Sequence, residues 1–289
     1  MKQEQEGGDK SVNVQAAGNI LLNSLSAADV RVIAELVFEK NLPQMLEAAK
    51  AEAKENAQKF LNELSKKAAD KLTPEEMAIF STADMQYALT HAVIQASRKD
   101  VPEKSTLLAS LIIEKAKCSG GVRDIAITQA IEISAKLIKP HFSLLAFVYV
   151  TRHITWGWTD FEAVKSGVKN TIKNFSDLTL SGDGMGILIS MGCASHEVTF
   201  GKLQDQVNKR YENVLPKKFN DKFGRMSDKD GEEFWASFDL TTAELEFINT
   251  YNKSGASSLF LTPVGKVIAL SYMQTQNLID YDWKLLITD

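Results

Sequence analysis

Between residues 42 and 72, Leu42, Met45, Leu46, Ala49, Ala53, Ala57, Phe60, Leu61, Leu64, Ala68 and Leu72 recur in steps of three and four. That spacing puts them on one face of a helix and predicts a single long amphipathic helix over 44–72. The opposite face carries Glu55 four residues before Lys59 and Glu63 four before Lys67. Such pairs contribute only about 0.2–0.5 kcal/mol each, so the apolar face must be covered for the helix to persist. The cover is the rest of the chain's own bundle, a helix of a second copy, or a membrane surface. The mixed charge of the polar face argues against the last of these. A helix this long commits the chain to a mainly α fold.

The segments that follow repeat the same texture. Thr73-Pro74-Glu75-Glu76 is a helix start, with a cap, a Pro at the first position and a Glu three residues after the cap. Helices are expected near 82–98, 105–117, 122–138, 142–154 and 161–175. The breaks between the first of them carry Asp100-Val101-Pro102, Ser119-Gly120-Gly121 and Lys139-Pro140. No fixed-period signature runs through them, so a multi-helix bundle and a short helical array fit equally. Upstream, Ser26 and Asp29 cap a helix in which Val30, Ile33, Ala34, Val37 and Phe38 fall at helical spacing, and Pro43 marks its junction with the long helix. Trp156-Gly157-Trp158 reads as a helix–helix corner, with a binding lip as the alternative.

After Asp177 the composition changes. Ser181-Gly182-Asp183-Gly184-Met185-Gly186 reads as a flexible link, and a small, mostly helical C-terminal subdomain is expected over 181–289. Residues 192–195 and 217–230 read as loose and polar. Near the end, a helix at 241–251, a short apolar run at 259–261 and a final helix opened by Thr262-Pro263 resemble the closing part of winged-helix modules. That resemblance is one of fold and carries no DNA-binding role. The domain reading is therefore an arm at 1–24, a helical body at 25–180 and the C-terminal subdomain.

The arm is the one β-prone stretch. Val12, Val14 and Ala16 alternate with Ser11, Asn13 and Gln15, and the run ends at Gly18-Asn19 before Ile20. A lone ribbon is marginal in water. Asn and Gln at strand positions stack into ladders between identical copies, so Val12, Asn13, Val14, Gln15, Asn19 and Ile20 are the expected self-assembly residues. A ribbon paired with its own domain and a disordered tail are the alternatives. The match to the Val-Gln-Ile-Gly core of amyloid signalling motifs is poor, because Ala16 replaces a β-branched residue and Gly18 comes one place late.

Composition sets the outer bounds. Lys plus Arg is 33 against 37 for Asp plus Glu, a net charge of -4, so nucleic-acid binding driven by bulk charge is not expected. Cys118 and Cys193 lack metal or redox spacing and read as two buried thiols in a reducing compartment. The N-terminus is polar and acidic, and the most apolar run, 142–150, is about half the roughly 20 residues of a membrane-spanning helix. A cytoplasmic homo-oligomer with a further protein partner is the expectation, with no transmembrane segment, cofactor or metal.

Candidate chemistry is thin. The 181–186 loop has no Lys and carries Asp183, which repels phosphate. An EF-hand placed on Asp228-Lys229-Asp230-Gly231 begins at Met226 and ends at Ser237, where Asp and Glu are required; a polar turn with a helix start at Glu232 fits better. His91, His141, His153 and His196 are scattered. Cys193 with His196, three apart, is the one candidate catalytic pair, against a buried thiol near a loop His.

Three stretches carry a resemblance: Gly7-Gly8-Asp9-Lys10-Ser11-Val12-Asn13-Val14-Gln15-Ala16, Leu25-Ser26-Ala27-Ala28-Asp29-Val30-Arg31-Val32-Ile33-Ala34, and Asp84-Met85-Gln86-Tyr87-Ala88-Leu89. They resemble a family of bacterial proteins of similar length with an N-terminal Gly-Asp-x-Ser-x-Asn-x-Gln motif and no assigned activity. The resemblance implies a bacterial or mobile-element origin and brings no catalytic residues. A role in antiviral (phage) defence is an expectation attached to that resemblance alone. The function expected is a non-enzymatic interaction or scaffold protein; the alternative is an enzyme or small-ligand binder with a site between the body and the C-terminal subdomain.

Overall fold

The computed structural model describes residues 26–40, 47–98, 102–118, 120–178, 182–196, 201–220 and 226–278. The arm, with Val12, Asn13, Val14, Gln15, Asn19 and Ile20, lies outside the described residues, as do the Pro43 junction and Ser181. The described chain is mainly α. In order run α1 (Ala27–Lys40), α2 (Glu47–Lys71), α3 (Pro74–Ala78), α4 (Ala83–Ser97), α5 (Pro102–Ala116), α6 (Gly121–Ser134) and α7 (Lys139–His153). Then come α8 (Phe161–Asn174), α9 (Gly182–Ser190), β1 (Ala194–His196), α10 (Leu203–Arg210), α11 (Lys217–Asn220), α12 (Asp228–Ala236), α13 (Thr242–Ser254), β2 (Leu259–Leu261) and α14 (Pro263–Thr275). Among the described residues no helix is long and apolar enough to cross a membrane.

Helix starts follow the capping chemistry of the sequence. Ser26 N and Oγ both donate to Asp29 Oδ2 at 2.8 Å, and Asp29 N donates back to Ser26 Oγ. Thr73 and Glu76, and Thr241 and Glu244, close full capping boxes. The long helix buries Ala53, Ala57, Phe60, Leu61, Leu64 and Ala68 against its neighbours, and α1, α4 and α5 pack on it. Its small central residues allow that approach.

Lys115 lies inside the α4–α5–α6 layer with its side chain 2% exposed. Its ammonium bonds Asp84 at 2.7 Å, Asp124 at 2.8 Å and Thr128 at 2.9 Å. Burial opposes its charge, but the bonds to the two carboxylates outweigh that and hold its pKa above the ordinary lysine value.

Three readings of the later chain are corrected. The stretch 181–186, expected as a flexible glycine link, lies from Gly182 onward in α9, because Met185 and Leu188 are buried and the helix packs on α7. Tertiary burial here overrides the roughly 1 kcal/mol cost of each helical Gly. A Cβ built at Gly186 meets nothing within 4 Å. Gly186→Ala is therefore expected to stabilise the fold by about 0.5–1 kcal/mol, read as a higher denaturation midpoint at unchanged slope. Within 192–195, expected to be loose, Ala194 and Ser195 belong to β1, which pairs antiparallel with β2 in the register Ala194↔Leu261, Ser195↔Phe260, His196↔Leu259. The polar turn at 228–231 is likewise helical: Ser227 caps α12, which begins at Asp228 rather than Glu232.

The last helix returns to the body. α14 packs on α5, α6 and α7, and every residue from Val264 to Met273 except Lys266 is buried. Ser143 Oγ and Tyr272 Oη are 3.0 Å apart in this interface, beside the stacked rings of Phe142 and Tyr272. The described residues from 182 onward thus share one core with the helices before them.

Candidate functional site

Three features gather where α7 ends. The first is an aromatic corner. Trp156 and Trp158 lie at 6.2 Å between ring centroids, and Trp158 and Tyr211 at 4.9 Å. Trp156 N donates to Tyr211 Oη at 3.1 Å. Trp158 seats on α8 at Gly167, where a Cβ would lie 1.8 Å from the indole. The Trp pair therefore anchors the turn from α7 into α8. A cavity of about 40 Å³ remains beside it, bordered by Phe147, Val150, Ile172, Val207 and Arg210. Small-ligand sites run to about 300–1,000 Å³, so this space suits one or two waters.

The second feature is α10, whose polar sequence is buried by hydrogen bonding. Gln204 Oε1 accepts from Trp235 Nε1 at 3.4 Å and Asn252 Nδ2 at 3.1 Å. Gln206 Nε2 donates to Ser257 O at 3.0 Å, and Asn208 Nδ2 to Phe219 O at 3.2 Å. Arg210 donates to Val150 O at 3.2 Å and Ile154 O at 2.9 Å, capping the end of α7. Each side chain ties α10 to a different segment, so the helix is a polar tie bar for the later half of the chain.

The third feature is His153, whose ring lies between Tyr149 and Phe260. Its Nε2 is buried without a hydrogen-bond partner. Burial, then the charges of Lys266, Arg210 and Arg152, push its pKa down to about 4.

Cys193 and His196 fall in opposite environments. Cys193 is fully buried and free, and burial pushes its thiol up to about 12. A thiol held there is protonated at neutral pH and supplies no thiolate nucleophile. Its backbone is engaged on both sides: N donates to Leu188 O at 2.9 Å, and O accepts from Thr262 N at 3.1 Å. His196 is exposed on β1, with Nδ1 3.1 Å from Ser258 Oγ. Cys118, expected to be buried, is only half-buried, at the end of α5. Among the described residues no group of three or more His, Cys, Asp or Glu is placed to hold a metal ion.

Apolar surface is the remaining feature, and sequence periodicity missed it. On α1, Val30, Ala34 and Phe38 are buried, whereas Val32 is 43% and Leu36 58% exposed. Tyr87, Val122 and Ile125 are exposed on α4 and α6, where Tyr87 Oη donates to Glu132 at 3.3 Å. The signal was present in the sequence: α1 is apolar on more than one side, and one side suffices for its own core.

The fold and these surfaces define a mainly α protein with apolar residues left on the outside of its helical layer. The chain belongs to the family whose model, described only as ":-like", matches residues 24–239, well over half its length. The match begins just before α1 and ends before α13, so it speaks neither for the arm nor for the closing strand and helix. No curated protein and no solved structure matches the chain.

Proposed function

We propose that this protein is a non-enzymatic interaction or scaffold protein of a bacterial cytoplasm that self-assembles through its N-terminal arm, with phage defence as its setting. The observation that carries the reading is the apolar outer side of α1, Val32 with Leu36, in the helix that directly continues the arm. Exposed apolar residues mark interaction sites where they form a contiguous patch, and Val32 and Leu36 lie one turn apart on one side of α1. The arm supplies an alternating segment that cannot stand alone. The ligand-binding or enzymatic alternative draws on the corner cavity and on Cys193 with His196. A 40 Å³ space and a buried neutral thiol give it less support.

The test is mass in solution by light scattering for the full chain and for a chain lacking residues 1–24. The full chain is expected to be a closed oligomer and the shortened chain a monomer with the same helical content. Equal masses would remove the arm from assembly.

A further inference from the structure

We infer that the outer side of α1 is the docking face for the arm of a second copy of this chain, which lays Val12, Val14 and Ala16 across Val32 and Leu36. The inference rests on the self-assembly reading and adds the surface that receives the arm. α1 leaves that side uncovered: Val32 and Leu36 are exposed, and Ile33 and Val37 beside them are half-buried. Along one edge, Arg31 bonds Glu35 at 2.8 Å and Asn62 at 3.2 Å, so the nearby charged groups are already engaged. A groove between α1 and α2, bordered by Phe38, Glu39, Lys54 and Leu61, runs alongside.

Size selects the occupant. Two half-exposed aliphatic side chains offer far less than the roughly 800 Å² per partner of a stable interface between globular faces. A short extended segment is matched to such a strip. Residues i and i+2 of a strand lie about 6.7 Å apart on one face. Residues i and i+4 of a helix lie about 6 Å apart along its axis. Val12 and Val14 are therefore spaced to sit on Val32 and Leu36.

Reach and hydrogen bonding select a second copy. Residues 12–16 precede Ser26 by ten to fourteen positions, a span of up to about 33–46 Å when extended, long enough to cross to a neighbour. α1 packs on α2 and α4, so an arm folded back on its own α1 has no described strand beside it with which to pair its backbone. Two copies exchanging arms bring the two ribbons together, so that each pairs the other's backbone and Asn13 and Gln15 stack with their counterparts.

The experiment uses full-length chains carrying Cys118→Ser, one with Val14→Cys and a size-tagged one with Leu36→Cys, mixed and mildly oxidised. A mixed disulfide dimer on a non-reducing gel is expected, and Leu36→Lys with Val32→Lys is expected to weaken association at least tenfold while leaving the circular dichroism spectrum unchanged. An assembled wild type with no mixed dimer and no loss in the lysine variant overturns the docking face while leaving arm-driven assembly standing. Cross-linking confined within one chain carrying both Val14→Cys and Leu36→Cys overturns the exchange. A wild type that is monomeric by light scattering overturns both readings.

Discussion

Gly265→Ala is expected to destabilise the protein by about 3 kcal/mol, the upper end of the range for overpacking a closed interior. A Cβ at this position would lie 1.9 Å from the carbonyl oxygen of Cys193. That neighbour is backbone, so no rotamer change relieves the contact. The Cys193 carbonyl also accepts from Thr262 N at 3.1 Å, and Thr262 Oγ1 donates to Gly192 O at 2.6 Å while accepting from Gly265 N at 3.2 Å. One displacement therefore strains the β1–β2 pairing and the cap of α14 together. Because α14 is buried against α5, α6 and α7, the loss should appear as a lower midpoint of cooperative unfolding. A change below about 1 kcal/mol would mean that the α14–Cys193 approach is looser than described. Gly186→Ala, where the space is open, is the internal control of opposite sign.

The contrast between those two glycines shows which parts of the fold local sequence encodes. Helices with a cap and a clean apolar stripe were legible: Ser26 with Asp29, Thr73 with Glu76 and Thr262 with Pro263 all open helices as read, because capping is a contact within three residues. α9 was not, because its glycines signal a turn locally and only α7 supplies the burial that makes them helical. α10 was less legible still. Gln204, Gln206, Asn208 and Arg210 carry no local signal of burial, and they are held, the first three buried and Arg210 half-buried, by partners 11 to 60 residues away in sequence. β1 is three residues long and its partner lies more than 60 residues on. For the site, three-residue spacing brought Cys193 and His196 together on paper, yet a thiol in the core and an imidazole on an exposed strand do not share an environment. Val32 and Leu36 were readable as apolar, but which side of α1 faces inward depends on where α2 and α4 pack.

Acidification is expected to destabilise the native protein through His153. Its pKa is held at about 4, against 6.5 for the ordinary side chain. The native state therefore refuses a proton that the unfolded chain takes up below pH 6.5. Stability from this group is fully present above that pH, falls as pH drops toward 4 and levels off below. The gap corresponds to about 3 kcal/mol, of which about 2–3 kcal/mol should be lost between pH 7 and pH 4.5. Burial is the first cause, and the cations Lys266, Arg210 and Arg152 add to it; the phenol of Tyr149 is the other titratable group on the ring. Arg210 is fixed by the Val150 and Ile154 carbonyls and Arg152 donates to the Ser257 carbonyl, so neither is free to turn away when the imidazole charges. His153→Phe keeps a ring between Tyr149 and Phe260 and removes both ring nitrogens, of which Nε2 is buried without a partner. Carboxylates titrate alike in both proteins, so the difference between their unfolding free energies isolates this ring. That difference should shift by about 2–3 kcal/mol in favour of the variant between pH 7 and pH 4.5. Parallel curves would mean that His153 takes up its proton in the native state as readily as in the unfolded chain, and that the cations around the end of α7 lie too far away, or too well hydrated, to be felt there.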